Sequence, residues 1–215
     1  MNKKKVIGNY QDRVNVFCYE KASEKQDARN FVLNQIPSDC KKVLSLSADT
    51  FTFENMVLNS RFSKNPVIDA YECDKGVYKK GLKNFEKLKQ EHLDRVLNFN
   101  LGDIFSVDFK QYDFINLDLC GSFNIKLVNR LIISLQGFKG TICITMTKNV
   151  RNTLIRKHLD LYGVKDMHEF RDIAFPNMLK DLCNLDMIGK PYFYANKSLN
   201  NKATEMVLFS FKNVA

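Results

Sequence analysis

Short apolar runs alternate with longer amphipathic segments along most of this chain. Residues 43–47 (Val-Leu-Ser-Leu-Ser), 67–71 (Val-Ile-Asp-Ala-Tyr), 95–99, 113–117 (Asp-Phe-Ile-Asn-Leu) and 141–146 read as strands. Segments 52–62, 75–91, 125–135 and 152–161 read as helices between them. In 75–91, Val77, Tyr78, Leu82, Phe85 and Leu88 recur at three and four residues, and in 125–135 Leu127, Val128, Leu131, Ile132 and Leu135 do the same. Near-continuous apolar strands are buried on both faces, so the alternation predicts an α/β fold with a parallel sheet and helices on both faces. Upstream, 24–36 reads as a helix stopping before Pro37, and 13–19 as a short strand or an extended arm. A further helix falls within 167–185. Residues 192–194 and 205–211 read as two last strands joined by the polar run 196–202, without a helix, hence a hairpin. Tyr192, Phe193 and Tyr194 offer a candidate base-stacking platform, while alternation across the strand puts Phe193 in the core with Tyr192 and Tyr194 sharing the opposite face. The expectation is one mostly parallel seven-stranded sheet with a C-terminal antiparallel hairpin. Residues 40–215 form the domain, and 1–39 form an arm and helix packed on it.

Composition narrows the class. A hydrophobic content of 45% with 17 Phe builds a core, and four Pro and nine Gly leave little for linkers in 215 residues. No apolar run approaches the roughly 18 residues of a spanning helix. The basic start at Lys3, Lys4 and Lys5 is followed by no apolar h-region, which argues against a secretory signal. Cys18, Cys40, Cys73, Cys120, Cys143 and Cys183 are scattered, which reads as reduced thiols and a cytoplasmic setting. His92, His158 and His168 have no metal-ligand spacing, and no metal is expected. A formal charge of +9 suits a polyanionic partner, nucleic acid or nucleotide, or else reflects a solvated Lys-rich surface.

Three strand ends carry acids: Glu72 and Asp74 after the second, Asp103 after the third, Asp118 after the fourth. Open α/β sheets bind ligands outside the carboxyl ends of their strands. A carboxylate there can accept from a ribose diol, another from an adenine amine, and a third can face the reacting group.

From residue 40 onward, the order and spacing resemble the class I S-adenosylmethionine (SAM)-dependent methyltransferases. Residues 67–74 (V-I-D-A-Y-E-C-D) are similar to the family's second motif, whose acid holds the SAM ribose, and Glu72 is the match. Asn84 sits where many members carry an Asn. Residues 101–105 (L-G-D-I-F) are similar to the G-D-A turn that meets adenine, with Asp103 at the amine and Ile104 against the ring. Residues 113–118 resemble strand four with its motif IV acid, Asp118. Leu119-Cys120-Gly121-Ser122 is similar to the D-P-F-G-S or D-P-P turn of RNA methyltransferases, and 138–142 (F-K-G-T-I) to the G-G-x-L turn into strand five. The resemblance implies a Rossmann-like methyltransferase fold and SAM as cofactor. It places Ser45, Ser47, Ala48 and Asp49 at the methionine end and Asp118 beside the methyl acceptor.

Two departures stand out. The glycine-rich first motif has no counterpart: residues 44–50 (L-S-L-S-A-D-T) contain no glycine to take a left-handed turn against the ligand. The rigid proline turn used on exocyclic amines is also missing after Asp118. Cys120 has two readings. Some RNA enzymes place a nucleophilic cysteine in this turn. They also use a Thr-Cys pair after strand five, here Thr145-Met146, which leaves a small buried thiol as the other reading.

After strand five, 148–158 carries Lys148, Arg151, Arg156 and Lys157 and no acid. On the rim of the crevice it would form a phosphate-binding lip; otherwise it is a solvated basic helix. The expectation is a SAM-dependent methyltransferase acting on nucleic acid, RNA rather than DNA. The alternatives are a catalytically inactive module of the same fold that binds nucleic acid or a protein partner, and a SAM enzyme with a small-molecule acceptor.

Overall fold

A computed structural model describes residues 23–60, 62, 65–150, 156–197 and 203–214; the segment 13–19 lies outside them. The chain runs α1 (Ser23–Asn34), β1 (Lys42–Leu46), α2 (Thr52–Asn59), β2 (Val67–Glu72), α3 (Lys75–Glu91) and β3 (Leu97–Leu101). Two 3-10 turns, Ile104–Ser106 and Phe109–Gln111, lead to β4 (Phe114–Phe123), α4 (Ile125–Leu135), β5 (Thr141–Val150) and α5 (Arg156–Leu161). A helical turn Met167–Glu169 and a π-helical segment Phe170–Ala174 precede α6 (Phe175–Cys183), β6 (Leu185–Met187), β7 (Tyr192–Lys197) and β8 (Ala203–Asn213). No helix among the described residues is long and apolar enough to cross a membrane.

The sheet order is β3-β2-β1-β4-β5-β8, with both β6 and β7 on the far side of β8. Strands β1 to β5 pair in parallel, and β8 runs antiparallel to β5, β6 and β7. β7 pairs with the first half of β8 and β6 with its last residues, so eight strands fill the seven expected positions. The three-residue β6 is too short to show any alternation in the sequence.

Alternate residues of the central strands enter two different cores. Leu44, Ile115, Ile142, Ile144 and Phe209 pack under α4 and α6. Val43, Phe114, Cys143, Ile68 and Leu208 pack under α1, α2 and α3. Burial on both faces is why the strands read as unbroken apolar runs.

Three expectations are corrected. β4 does not end at Asp118. It continues through Cys120, Gly121 and Ser122 to Phe123, with register shifts against β5 after Asp118, because β5 also runs on to Val150 and gives it a partner. β3 starts at Leu97 rather than 95, since Arg95 N–H still closes the turn on His92. Phe193 is the exposed member of its trio, at 50%, while Tyr194 is buried. The helix α1 lies across the other face, where Phe31 stacks on Tyr192 with ring centroids 5.3 Å apart.

Candidate active site

The face under α1 and α2 changes character along each strand. β1 goes from Val43 to Ser45 and on to Ser47, β4 from Phe114 to Asn116 and Asp118, and β5 from Cys143 to Thr145 and Thr147. Ser45, Ser47, Asn116, Thr145 and Thr147 are all buried. The carboxyl ends of the central strands thus present a polar wall, and a cavity of about 70 Å3 lies against it. Lys25, Arg29, Ser47, Ala48, Thr50, Thr52, Glu54, Asn116, Asp118 and Thr145 line it, with Ala28 and Tyr194. A drug-sized ligand takes roughly 300–1,000 Å3, so this space suits a small charged or polar group rather than a nucleoside.

Charges of both signs meet there. Glu54, in the first turn of α2, is 2% exposed and accepts hydrogen bonds from the hydroxyls of both Ser45 and Ser47. Burial pushes its carboxyl above the usual range, opposed by the two serine hydroxyls and by the Arg29 guanidinium. Arg29 Nη1 is buried with no hydrogen-bond partner among the described residues. Such groups are rare in folded proteins and mark a place for a ligand or water. Lys25 Nζ stands 4.0 Å from the Asp118 carboxylate. The sequence pattern did not single out Arg29, Glu54, Asn116 or Thr145. The signal for Asn116 and Thr145 was the period-two continuation of each strand past its apolar half.

The glycine-free turn keeps a left-handed residue after all. Phe51, which precedes α2, has φ 53° and ψ 32°. An L-residue with a Cβ pays about 1–2 kcal/mol for that conformation, and the buried Phe51 ring offsets it by packing edge-on against Phe99 at 4.6 Å. Close approach is also preserved, with the glycine on the other partner. A Cβ on Gly81 of α3 would come within 3.3 Å of Asp49 Cα and 3.1 Å of the Phe99 ring. Asn84 Nδ2 donates to the Asp49 carbonyl at 2.8 Å, which pins the turn to α3. The Oδ1 atom of Asp49 is the second buried polar atom without a partner among the described residues.

On β2, the two candidate acids divide their work. Asp74 caps α3, accepting from Gly76 N at 2.7 Å and Val77 N at 2.9 Å. Glu72, 7% exposed, accepts from Asp74 N at 2.7 Å, and burial raises its carboxyl above the usual range. Asp103 caps the first 3-10 turn and pairs with Arg130 of α4, whose guanidinium lies 4.3 Å above the Phe105 ring. Ile104 is 3% exposed, inside the core.

The structure therefore brings Ser47, Ala48 and Asp118 around one cavity, and ties Ser45 to it through Glu54. Glu72 and Asp103 sit apart from it, at the neighbouring strand ends. Cys120 lies within β4. On the rim, Lys148 Nζ pairs with Glu205 at 3.1 Å and lies 5.8 Å from the Phe193 ring. Arg156 and Lys157 belong to α5, and Arg151 lies outside the described residues.

No protein-family model and no curated protein sequence matches the chain. Solved structures do. M. jannaschii TYW2 in complex with AdoMet superposes with a TM-score of 0.53 at 14% identity, over 92% of this chain and 80% of that one. The fold is that of the class I methyltransferases. The small RNA methyltransferase HEN1 matches with a TM-score of 0.58 at 11% identity, over 92% of this chain and 26% of its own. The M. jannaschii tRNA m1G37 methyltransferase matches at 0.53 and 17% identity, over 90% and 51%. Within this methyltransferase fold, the polar cavity falls between the β1–α2 turn and β4, and Glu72 ends β2, the strand next to β1.

Proposed function

We propose that the protein is a SAM-dependent methyltransferase acting on nucleic acid, RNA rather than DNA. The observation that carries this is the convergence of Asp118, the β1–α2 turn and the unpartnered Arg29 Nη1 on one small cavity, with Glu72 at the end of the adjacent strand β2. The donors suit the cofactor's parts. Glu72 would accept from the ribose hydroxyls, Arg29 would meet the methionine carboxylate, and Asp103, exchanging its contact with Arg130, would accept from the adenine amine, while Ile104 stays in the core under that turn. Ser47, Ala48 and Asp49 would line the methionine end, with Ser45 acting through Glu54.

When bound, SAM supplies an electrophilic methyl on its sulfonium. The rest is positioning, which can account for much of a group-transfer rate. Asp118 accepts a hydrogen bond from the acceptor and orients its lone pair, after exchanging its contact with Lys25. Asn116 and Thr145 fix the polar wall behind it. Lys148 and the basic residues that follow β5 in the sequence, Arg151, Arg156 and Lys157, would bind phosphates. The formal charge of +9 and the likeness to a small RNA methyltransferase and a tRNA methyltransferase support the RNA reading. Isothermal calorimetry with SAM, followed by labelled methyl transfer to RNA, DNA and small acceptors, tests it. Failure of the folded protein to bind SAM overturns it.

A second reading is an inactive module of the same fold, favoured by the glycine-free turn and by a cavity of only about 70 Å3. Salt-dependent RNA binding without SAM binding would establish it.

A further inference from the structure

We propose that the outer face of α3 is a second RNA-contacting surface, which grips the phosphate backbone away from the target nucleotide. The inference rests on the nucleic-acid reading above and names a part of the partner's footprint. Lys75, Lys79, Lys83 and Lys87 follow one another at four-residue spacing, all exposed, with Lys80 beside them. The opposite face of the helix is buried through Val77, Gly81 and Leu88, so the ladder is fixed in orientation. At 1.5 Å per residue it extends about 18 Å, the axial reach of about five phosphates of one strand.

Its electrostatics oppose the helix that carries it. Like charges four residues apart destabilise a helix, and here there are three successive Lys–Lys pairs. Lys75 occupies the first helical position, where the macrodipole disfavours a cation; Asp74 caps the helix, but no acid falls within its first turn. Glu86 is the exposed acid on the same face, set against four lysines. Among the described residues, the ion pairs of this helix are confined to Lys87 with Glu91. A polyanion laid along the face removes both penalties. The ladder starts one turn past Glu72, at the rim of the cofactor side, and leads away from it, so it serves an RNA extending beyond the site.

The test is the combined variant Lys75→Gln, Lys79→Gln, Lys83→Gln and Lys87→Gln in the full chain, since Gln keeps the helix propensity. Fluorescence anisotropy with an RNA hairpin and an unstructured oligonucleotide across a salt series reads the result. The magnitude of the log–log salt slope should fall by about 3, with SAM affinity unchanged. An unchanged slope overturns the ladder and leaves the methyltransferase reading intact. A protein that binds RNA but no SAM, with a slope that falls in the variant, supports the ladder and sinks the catalytic reading. A wild-type protein that binds neither hairpin nor oligonucleotide at low salt overturns the ladder.

Discussion

The side-chain amide of Asn84 on α3 donates to the backbone carbonyl of Asp49, 35 residues away, at 2.8 Å. That bond holds the turn after β1 in place of the glycines that usually shape it. Asn84→Ala should cost about 1 kcal/mol of stability and weaken SAM binding. Asn84→Asp should behave the same, because a carboxylate cannot donate. Denaturant melts paired with SAM calorimetry check this; unchanged SAM affinity in both variants would show that the turn does not contact the cofactor.

Glu54 gives the fold a pH dependence of defined sign. Its folded pKa lies above the ordinary 4.5 because of burial. Between those two values the native state keeps a proton that the unfolded chain has released, so stability falls as pH rises through that window. Glu54→Gln, which still accepts from Ser45 and Ser47, should be more stable than wild type near pH 8 and show a flatter profile. Thermal melts between about pH 5 and pH 8 decide it, and a wild-type stability that rises across the window would contradict the buried-carboxyl account.

Gly81→Ala should lower the melting temperature even though Ala is the better helix former by about 1 kcal/mol. The new Cβ meets Asp49 Cα and the Phe99 ring, and that ring cannot yield: Phe51 at 4.6 Å, Tyr78 at 4.4 Å and Phe85 at 5.8 Å enclose it. Overpacking of this kind costs about 1–3 kcal/mol. A stabilised variant would mean that the turn shifts freely.

Glu72 and Asp118 should separate binding from transfer. Glu72→Gln should reduce SAM affinity by roughly 10-fold or more, the loss of a charge-assisted hydrogen bond. Asp118→Asn should leave SAM affinity nearly intact and abolish methyl transfer to RNA. Calorimetry and a labelled-methyl assay on the same preparations read both effects; full turnover by Asp118→Asn removes its proposed role.

Much of the fold was legible because the central strands of its sheet are buried on both faces. The helices 75–91 and 125–135 coincide with α3 and α4, and the carboxylates at 72, 103 and 118 were visible as acids after apolar runs. The polar wall was less visible. Ser45, Asn116 and Thr145 look like interruptions of apolar strands until their shared face is known. Arg29 and Glu54 lie on helices whose patterns show only which side is inward, not that one inward-facing end meets the strand hydroxyls.

By itself, the sequence determined the α/β order, the direction of the parallel strands and the acids that follow them, since periodicity and burial are local consequences of composition. Only the tertiary structure decided that Asp118 lies inside a longer β4 rather than at its end, because the extension depends on β5 running alongside. It also decided how a turn without glycine is built, with Phe51 left-handed, the close approach moved to Gly81 and the anchor supplied by Asn84. Phe51 lies in the turn before α2, while Gly81 and Asn84 lie on α3, and turn and helix meet only once β1, β2 and β3 have paired, so no local pattern encodes that contact.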